Sequence, residues 1–345
     1  MPRSDYERAL ESFARGDLQE TLTLVDRALA ADPTHAESHA LRGVALDGAG
    51  RAEEALAAYR EAIRLKPDYA EAHRNLALLH SQRGEYAESL QAGRKAVELE
   101  PQHADALNNL GVAALKLGFL PEAEDALRRS LALDPSSVGA HYNLGLVHAE
   151  RGRVAGAIDE LEIAYQGAQQ SGDEHRRGWI AEVATRLLNR YPADGTLWRA
   201  HRLLGRTYFD QGWYGTAIPH FQEGARRRDF TSLLHLGICY KNKALAGEAI
   251  DTLRRAARQR PDDYQAHNEL GHVLGTLVEE WPGAEEEFRV ALNLQPTSPE
   301  VRYNLGFALF RQQRYDEARK EFDEAFRLKP EMAASEHYRG LEFPQ

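Results

Sequence analysis

Cysteine is nearly absent from this chain: Cys239 stands alone among 345 residues. That excludes a disulfide framework and a thiolate cluster for zinc. No apolar run approaches the ~18 residues a membrane-spanning helix needs, so no direct membrane insertion is expected. Basic residues are in deficit, with 43 Lys and Arg against 53 Asp and Glu and a net charge of −10. Nucleic-acid binding needs a basic footprint, so no nucleic-acid partner is expected. The opening residues, Met1-Pro-Arg-Ser-Asp, lack the apolar core of a secretory signal, which points to a cytoplasmic location. Catalytic strings are also missing: there is no His-Glu-x-x-His, no Gly-x-Ser-x-Gly elbow, no Gly-x-x-x-x-Gly-Lys loop and no Gly-x-Gly-x-x-Gly turn. The expectation is a protein that is not an enzyme and carries no cofactor or metal.

What the chain does have is a beat of prolines. Pro33, Pro67, Pro101 and Pro135 fall 34 residues apart, and Pro261, Pro296 and Pro330 follow with steps of 35 and 34. Proline lacks the N–H that an interior helical turn requires, so a regular proline is a regular helix stop. A fixed period of this length marks stacked two-helix units that bury their apolar faces only against each other. With each proline at position 32 of a 34-residue frame, position 8 is Gly43, Gly111, Gly145, Gly205, Gly237, Gly271 and Gly306, with Ala77 in the third repeat. Position 20 is small throughout, as at Ala55, Ser89 and Ala123, and position 27 likewise. Glycine inside a helix costs about 1 kcal/mol relative to alanine, so its recurrence at one phase signals close helix approach. Large residues at position 24, among them Tyr59, Leu127, Phe221 and Phe322, fill the remaining space. Each unit therefore reads as helix A over positions 1–14 and helix B over 17–31. A glycine turn such as Gly16, Gly50 or Gly84 adopts a left-handed conformation between them.

The set resembles the tetratricopeptide repeat (TPR) family over about residues 2–332, without pointing to a specific member. The strings Asn109-Leu-Gly-Val and Tyr315-Asp-Glu-Ala-Arg-Lys-Glu-Phe carry the match closely. The resemblance implies an all-α, right-handed superhelical solenoid of about nine helix-turn-helix units, with an inserted helix and a C-terminal cap. The expected organisation is an N-terminal array of five repeats at 1–169 and an irregular junction at 170–197. An array of four repeats at 198–332 and a capping segment at 333–345 follow. The period breaks at the junction, where Gln169 replaces the expected proline and Trp179, Ile180, Val183, Leu187 and Leu188 recur at helical spacing. The junction is either a degenerate repeat or a hinge or binding element; Trp179 and Trp198 either close a packing gap or mark a contact site.

The resemblance also implies that helix A lines a concave groove. Position 6 then carries Asn75, Asn109, Asn143 and Asn304, and position 9 carries Leu78, Val112 and Leu146. A carboxamide offers a donor and an acceptor, so such a ladder either grips a peptide backbone or is merely hydrated. Arg199, Arg202 and Arg206 share one helical face and either meet an acidic partner segment or form a solvated stripe. Tyr303, Phe307 and Phe310 are either a pocket or a surface under the C-terminal segment 333–341. The histidines at position 4, His39, His73, His141, His201 and His267, read as packing residues because adjacent repeats stand too far apart to share a metal ion. The expected function is an adaptor or scaffold that binds a protein or extended peptide segment in the groove. A self-assembling scaffold, or a regulatory subunit of an enzyme or of a secretion or assembly complex, stays open. Self-association is therefore a possible partnership.

Overall fold

The computed structural model describes residues 4–334 and residue 341. Its regular structure is helical, and the chain divides into two compact units, Met1–Arg176 and Arg177–Gln345. In the first unit five helix pairs follow one another. They are α1 (Asp5–Ala14) with α2 (Leu18–Ala31), α3 (Ala36–Gly48) with α4 (Ala52–Leu65), α5 (Ala70–Gln82) with α6 (Tyr86–Leu99), α7 (Ala104–Lys116) with α8 (Leu120–Leu133), and α9 (Val138–Glu150) with α10 (Val154–Gln170). Helix α11 (Glu174–Arg190) falls where the proline beat is silent. The second unit continues with four pairs. They are α12 (Trp198–Asp210) with α13 (Tyr214–Arg226), α14 (Phe230–Asn242) with α15 (Ala246–Gln259), α16 (Tyr264–Val278) with α17 (Trp281–Leu294), and α18 (Pro299–Arg311) with α19 (Tyr315–Leu328). A short 3-10 turn, Pro330–Ala334, ends this run.

Local chemistry sets the helix ends. Ser4, His35, Ser137, Asp229, Asp263 and Ser298 each accept a backbone N–H in the first turn of the A helix that follows. Between the A and B helices the chain turns through a left-handed residue, with φ of 79° at Gly16 and 74° at Gly50. In the last three repeats the same position is taken by Ala244, Glu279 and Gln313, at φ of 56°, 56° and 65°. The glycine turn read from the first repeats therefore persists as a conformation after the glycine itself has gone.

The core of each pair forms where position 8 of helix A meets position 24 of helix B. A Cβ added at Gly111 would stand 2.6 Å from Leu127 Cγ, and one at Gly43 would stand 2.5 Å from the Tyr59 ring. Such contacts explain the recurring glycine: the backbone of one helix is the floor on which a large side chain of the other rests. The third repeat inverts the arrangement. There position 8 is Ala77 and position 24 is Gly93, whose added Cβ would meet Leu110 at an ordinary 3.6 Å.

Backbones of successive A helices also approach each other. In the first unit α1, α3, α5, α7 and α9 meet in order, and in the second α12, α14, α16 and α18 do. Each unit thus presents one continuous layer of A helices, which places position 6 of one repeat beside that of the next. Of the expected C-terminal cap, only Leu341 is among the described residues past Ala334; it is half-buried against the core of the second unit. The rest of that expected segment, Tyr338 included, lies outside the described residues.

Candidate functional site

The A-helix layer of the first unit carries Asn75 on α5, Asn109 on α7 and Asn143 on α9, all half-buried. Their carboxamides are not equivalent. Asn143 Nδ2 donates to Asn108 Oδ1 at 3.1 Å. Asn304 on α18 repeats this bond in the second unit, donating to Asn268 Oδ1 at 3.0 Å. An asparagine at position 5 of one A helix therefore ties down the asparagine at position 6 of the next. Asn108 and Asn268 were not singled out by sequence reasoning, although the doublet Asn108-Asn109 one period before Asn143 was the signal. Among the described residues Asn75 and Asn109 make no side-chain hydrogen bond, so the donor and the acceptor of each amide are not used within the protein. Leu78 beside them is 38% exposed, while Val112 and Leu146 are half-buried. Each of these three A helices thus carries an amide and, three residues on, an aliphatic side chain.

The arginines of α12 are engaged. Arg202 donates through a guanidinium nitrogen to Asp229 Oδ1 at 2.9 Å and lies over the Trp198 ring, 5.3 Å from its centroid. Asp229 also accepts from the backbone N–H of Ser232, so this ion pair fastens the start of α14 to α12. Arg199 and Arg206 have interactions of their own. Trp179, expected as one possible plug of a packing gap, is 49% exposed, and Trp213 is 58% exposed.

On α18, Tyr303 packs edge-on to Phe322 at 5.3 Å and Phe307 edge-on to Trp281 at 5.6 Å. Tyr303, Phe307 and Trp281, with Phe288, Asn304 and His272, line a cavity of about 130 Å³. Burial, with Lys241 nearby, pushes the His272 imidazole below the ordinary histidine range.

The position-4 histidines have a shared task. Nε2 of His39, His73, His141 and His267 lies 3.0, 2.9, 3.0 and 3.2 Å from the carbonyl oxygens of Pro33, Pro67, Pro135 and Pro261. Each ring clasps the proline turn that precedes its helix. Arg302 does the same in the ninth repeat, donating to the Pro296 carbonyl at 3.1 Å. His201 differs: its Nδ1 faces Nδ1 of His220 at 2.9 Å. Burial lowers both pKa values, and His201 alongside helps bring His220 down to about 4. Among the described residues no three potential metal ligands gather at one point. Cys239 is buried in α14, and burial pushes its thiol up to about 12, far from a reactive thiolate.

Paired helices stacked through small residues, with one face of amides and aliphatics, define a helical-repeat interaction scaffold. Models of the tetratricopeptide repeat match residues 75–137, 108–173, 202–264 and 299–332, and a TPR repeat model matches 49–84. The chain belongs to the tetratricopeptide repeat family. The protein O-mannosyl-transferase Tmtc2 of Drosophila melanogaster is 36% identical over 96 residues, which are 28% of this chain and 10% of that protein. This chain therefore spans about a tenth of the length of that relative. Among solved structures, MamA (41-end) from Desulfovibrio magneticus RS-1 is 19% identical, with a TM-score of 0.45 over 48% of this chain and 94% of that one. YrrB, described as a TPR protein with an unusual peptide-binding site, is 17% identical, with a TM-score of 0.40 over 70% of this chain and 95% of its own.

Proposed function

We propose that the chain is a non-enzymatic adaptor that holds an extended segment of a partner protein against its A-helix layer. The observation that carries this reading is the pair of unbonded carboxamides, Asn75 and Asn109, on consecutive A helices beside Leu78 and Val112. An amide pairs with any peptide group whatever its side chain, and the aliphatic residues between take the partner's side chains. Asn143 and Asn304 are each held by a neighbouring asparagine and act as preset acceptors. In the second unit, the cavity beside Tyr303 and Phe307 receives an apolar side chain of a partner segment bound there. Two arrays, at 1–169 and 198–332, are the working parts in this reading, with 170–197 as the junction and 333–345 as the end segment. Arg202 keeps its bond to Asp229, and the combined positive charge of Arg199, Arg202 and Arg206 on α12 favours an acidic stretch of a partner beside it.

The test starts with peptides selected from a random display library on the full chain, their affinities measured by fluorescence anisotropy. Asn75→Ala, Asn109→Ala and Asn143→Ala combined should weaken binding about ten- to a thousandfold, from about 0.5–1.5 kcal/mol for each of three hydrogen bonds. Circular dichroism should show the array still folded. Unchanged affinity in the folded triple variant would sink the ladder.

A further inference from the structure

The fourth and fifth repeats hold a basic cluster that the peptide-binding reading leaves unused. Glu124 on α8 is 4% exposed, and three guanidinium groups converge on it: Arg128 at 2.6 Å, Arg153 at 2.7 Å, and Arg151. Three positive charges thus surround one buried carboxylate. Next to them His148 on α9 is 7% exposed, and its Nδ1 has no hydrogen-bond partner. Buried polar atoms are nearly always paired, so an orphan asks for an explanation.

The third repeat supplies one. His80, Arg83 and Glu85 hold the frame positions that His148, Arg151 and Arg153 hold in the fifth. There Nδ1 of His80 is 2.6 Å from Glu85 Oε2, and Arg83 Nε donates to Glu85 Oε1 at 2.9 Å. A carboxylate bridges the imidazole and the guanidinium. In the fifth repeat the residue at that carboxylate's position is Arg153, and its guanidinium turns instead to Glu124. His148 keeps the frame position of the imidazole, but no carboxylate hydrogen-bonds its Nδ1: Glu160 of the same repeat lies near enough to act on its charge yet is bonded to His141 instead. Helix α10, which starts at this point, has no acid in its first turn, whereas α2, α4, α6 and α8 each carry a glutamate there. The positive end of its dipole is uncompensated. The side chains of Arg128, Arg151 and Arg153 are 58%, 30% and 46% exposed, so an anion reaches them from solvent.

We propose that this cluster binds a carboxylate side chain of an acidic partner segment. The carboxylate lies between Arg151, Arg153 and His148 as Glu85 lies between Arg83 and His80. The site is at the turn between α9 and α10, apart from the asparagine-bearing positions, and stands or falls independently of the peptide reading. It gives the array a second, charge-selective contact that is screened as salt rises.

The probe is hexaglutamate, titrated into the full chain at low salt and followed by calorimetry and by the ring-nitrogen resonances of His148. Saturable binding that moves those resonances is expected. Arg153→Glu restores the third-repeat pattern and supplies the carboxylate from within, so it should weaken binding about tenfold or more. Arg129→Glu makes the same change of charge on an exposed side chain of α8 and should leave affinity within about twofold. If Arg153→Glu fails to fold, Arg153→Gln takes its place with the same expected direction. Absence of binding by the unsubstituted protein, or an equal loss in both variants, overturns the proposal. So does inorganic phosphate that binds while hexaglutamate does not.

Discussion

Gly111 and Gly93 look alike in the sequence and do opposite things in the structure. At Gly111 a methyl group would push into Leu127 at 2.6 Å, whereas at Gly93 it would rest on Leu110 at 3.6 Å. Overpacking costs about 1–3 kcal/mol, and glycine to alanine in a helix returns up to about 1 kcal/mol. Gly111→Ala should therefore lower stability by about 1–2 kcal/mol, and Gly93→Ala should raise it by up to about 1 kcal/mol. Urea midpoints of the two variants check this directly; a shift in the same direction for both would refute the packing account. Residues of a single type thus need their partners before their roles can be read. The same holds for Asn143, whose bond to Asn108 separates it from the unbonded Asn75 and Asn109.

At the scale of the element, the A–B turn is a conformation before it is a residue. Six turns in the regular frame use glycine at positive φ, and the last three use Ala244, Glu279 and Gln313. A left-handed backbone costs an L-residue about 1–2 kcal/mol, part of which glycine gives back as unfolded-state entropy. All three side chains are exposed, and among the described residues Glu279 pairs with Arg311 alone, at 4.0 Å. Ala244→Gly, Glu279→Gly and Gln313→Gly should each stabilise the second unit by about 0.5–1 kcal/mol. The readout is thermal unfolding of the single variants; a drop in midpoint would show that the turn residues contribute contacts of their own. Proline works similarly at the other end of the unit. Its carbonyl, not only its missing N–H, is used, because the position-4 histidine or Arg302 binds it. The period of the prolines was visible in the sequence. The clasp was not, since it joins residues six apart across a turn whose geometry the period does not specify.

For the whole molecule, packing runs between neighbours along the chain: from α1 to α10 and again from α12 to α19 each helix meets the next, and each A helix meets the next A helix within its unit. Stability in such an array accumulates repeat by repeat. Residues 1–176 produced alone should therefore keep their helical content and unfold cooperatively, as followed by circular dichroism; loss of structure would mean that the first unit depends on the second. The sequence by itself determined the repeat, its two-helix unit, the small positions at the crossings and the place where the period stops. Those features are local or periodic, and steric limits on proline, glycine and close helix approach leave them few alternatives. Only the tertiary structure decided which of the repeated polar residues are already spoken for. It bonds Asn143 and Asn304 to the preceding helix, commits Arg202 to Asp229, and leaves His148 without the carboxylate that its counterpart His80 has. These outcomes depend on side chains brought together from different turns and repeats, and a linear period carries no record of which of two chemically similar neighbours will pair.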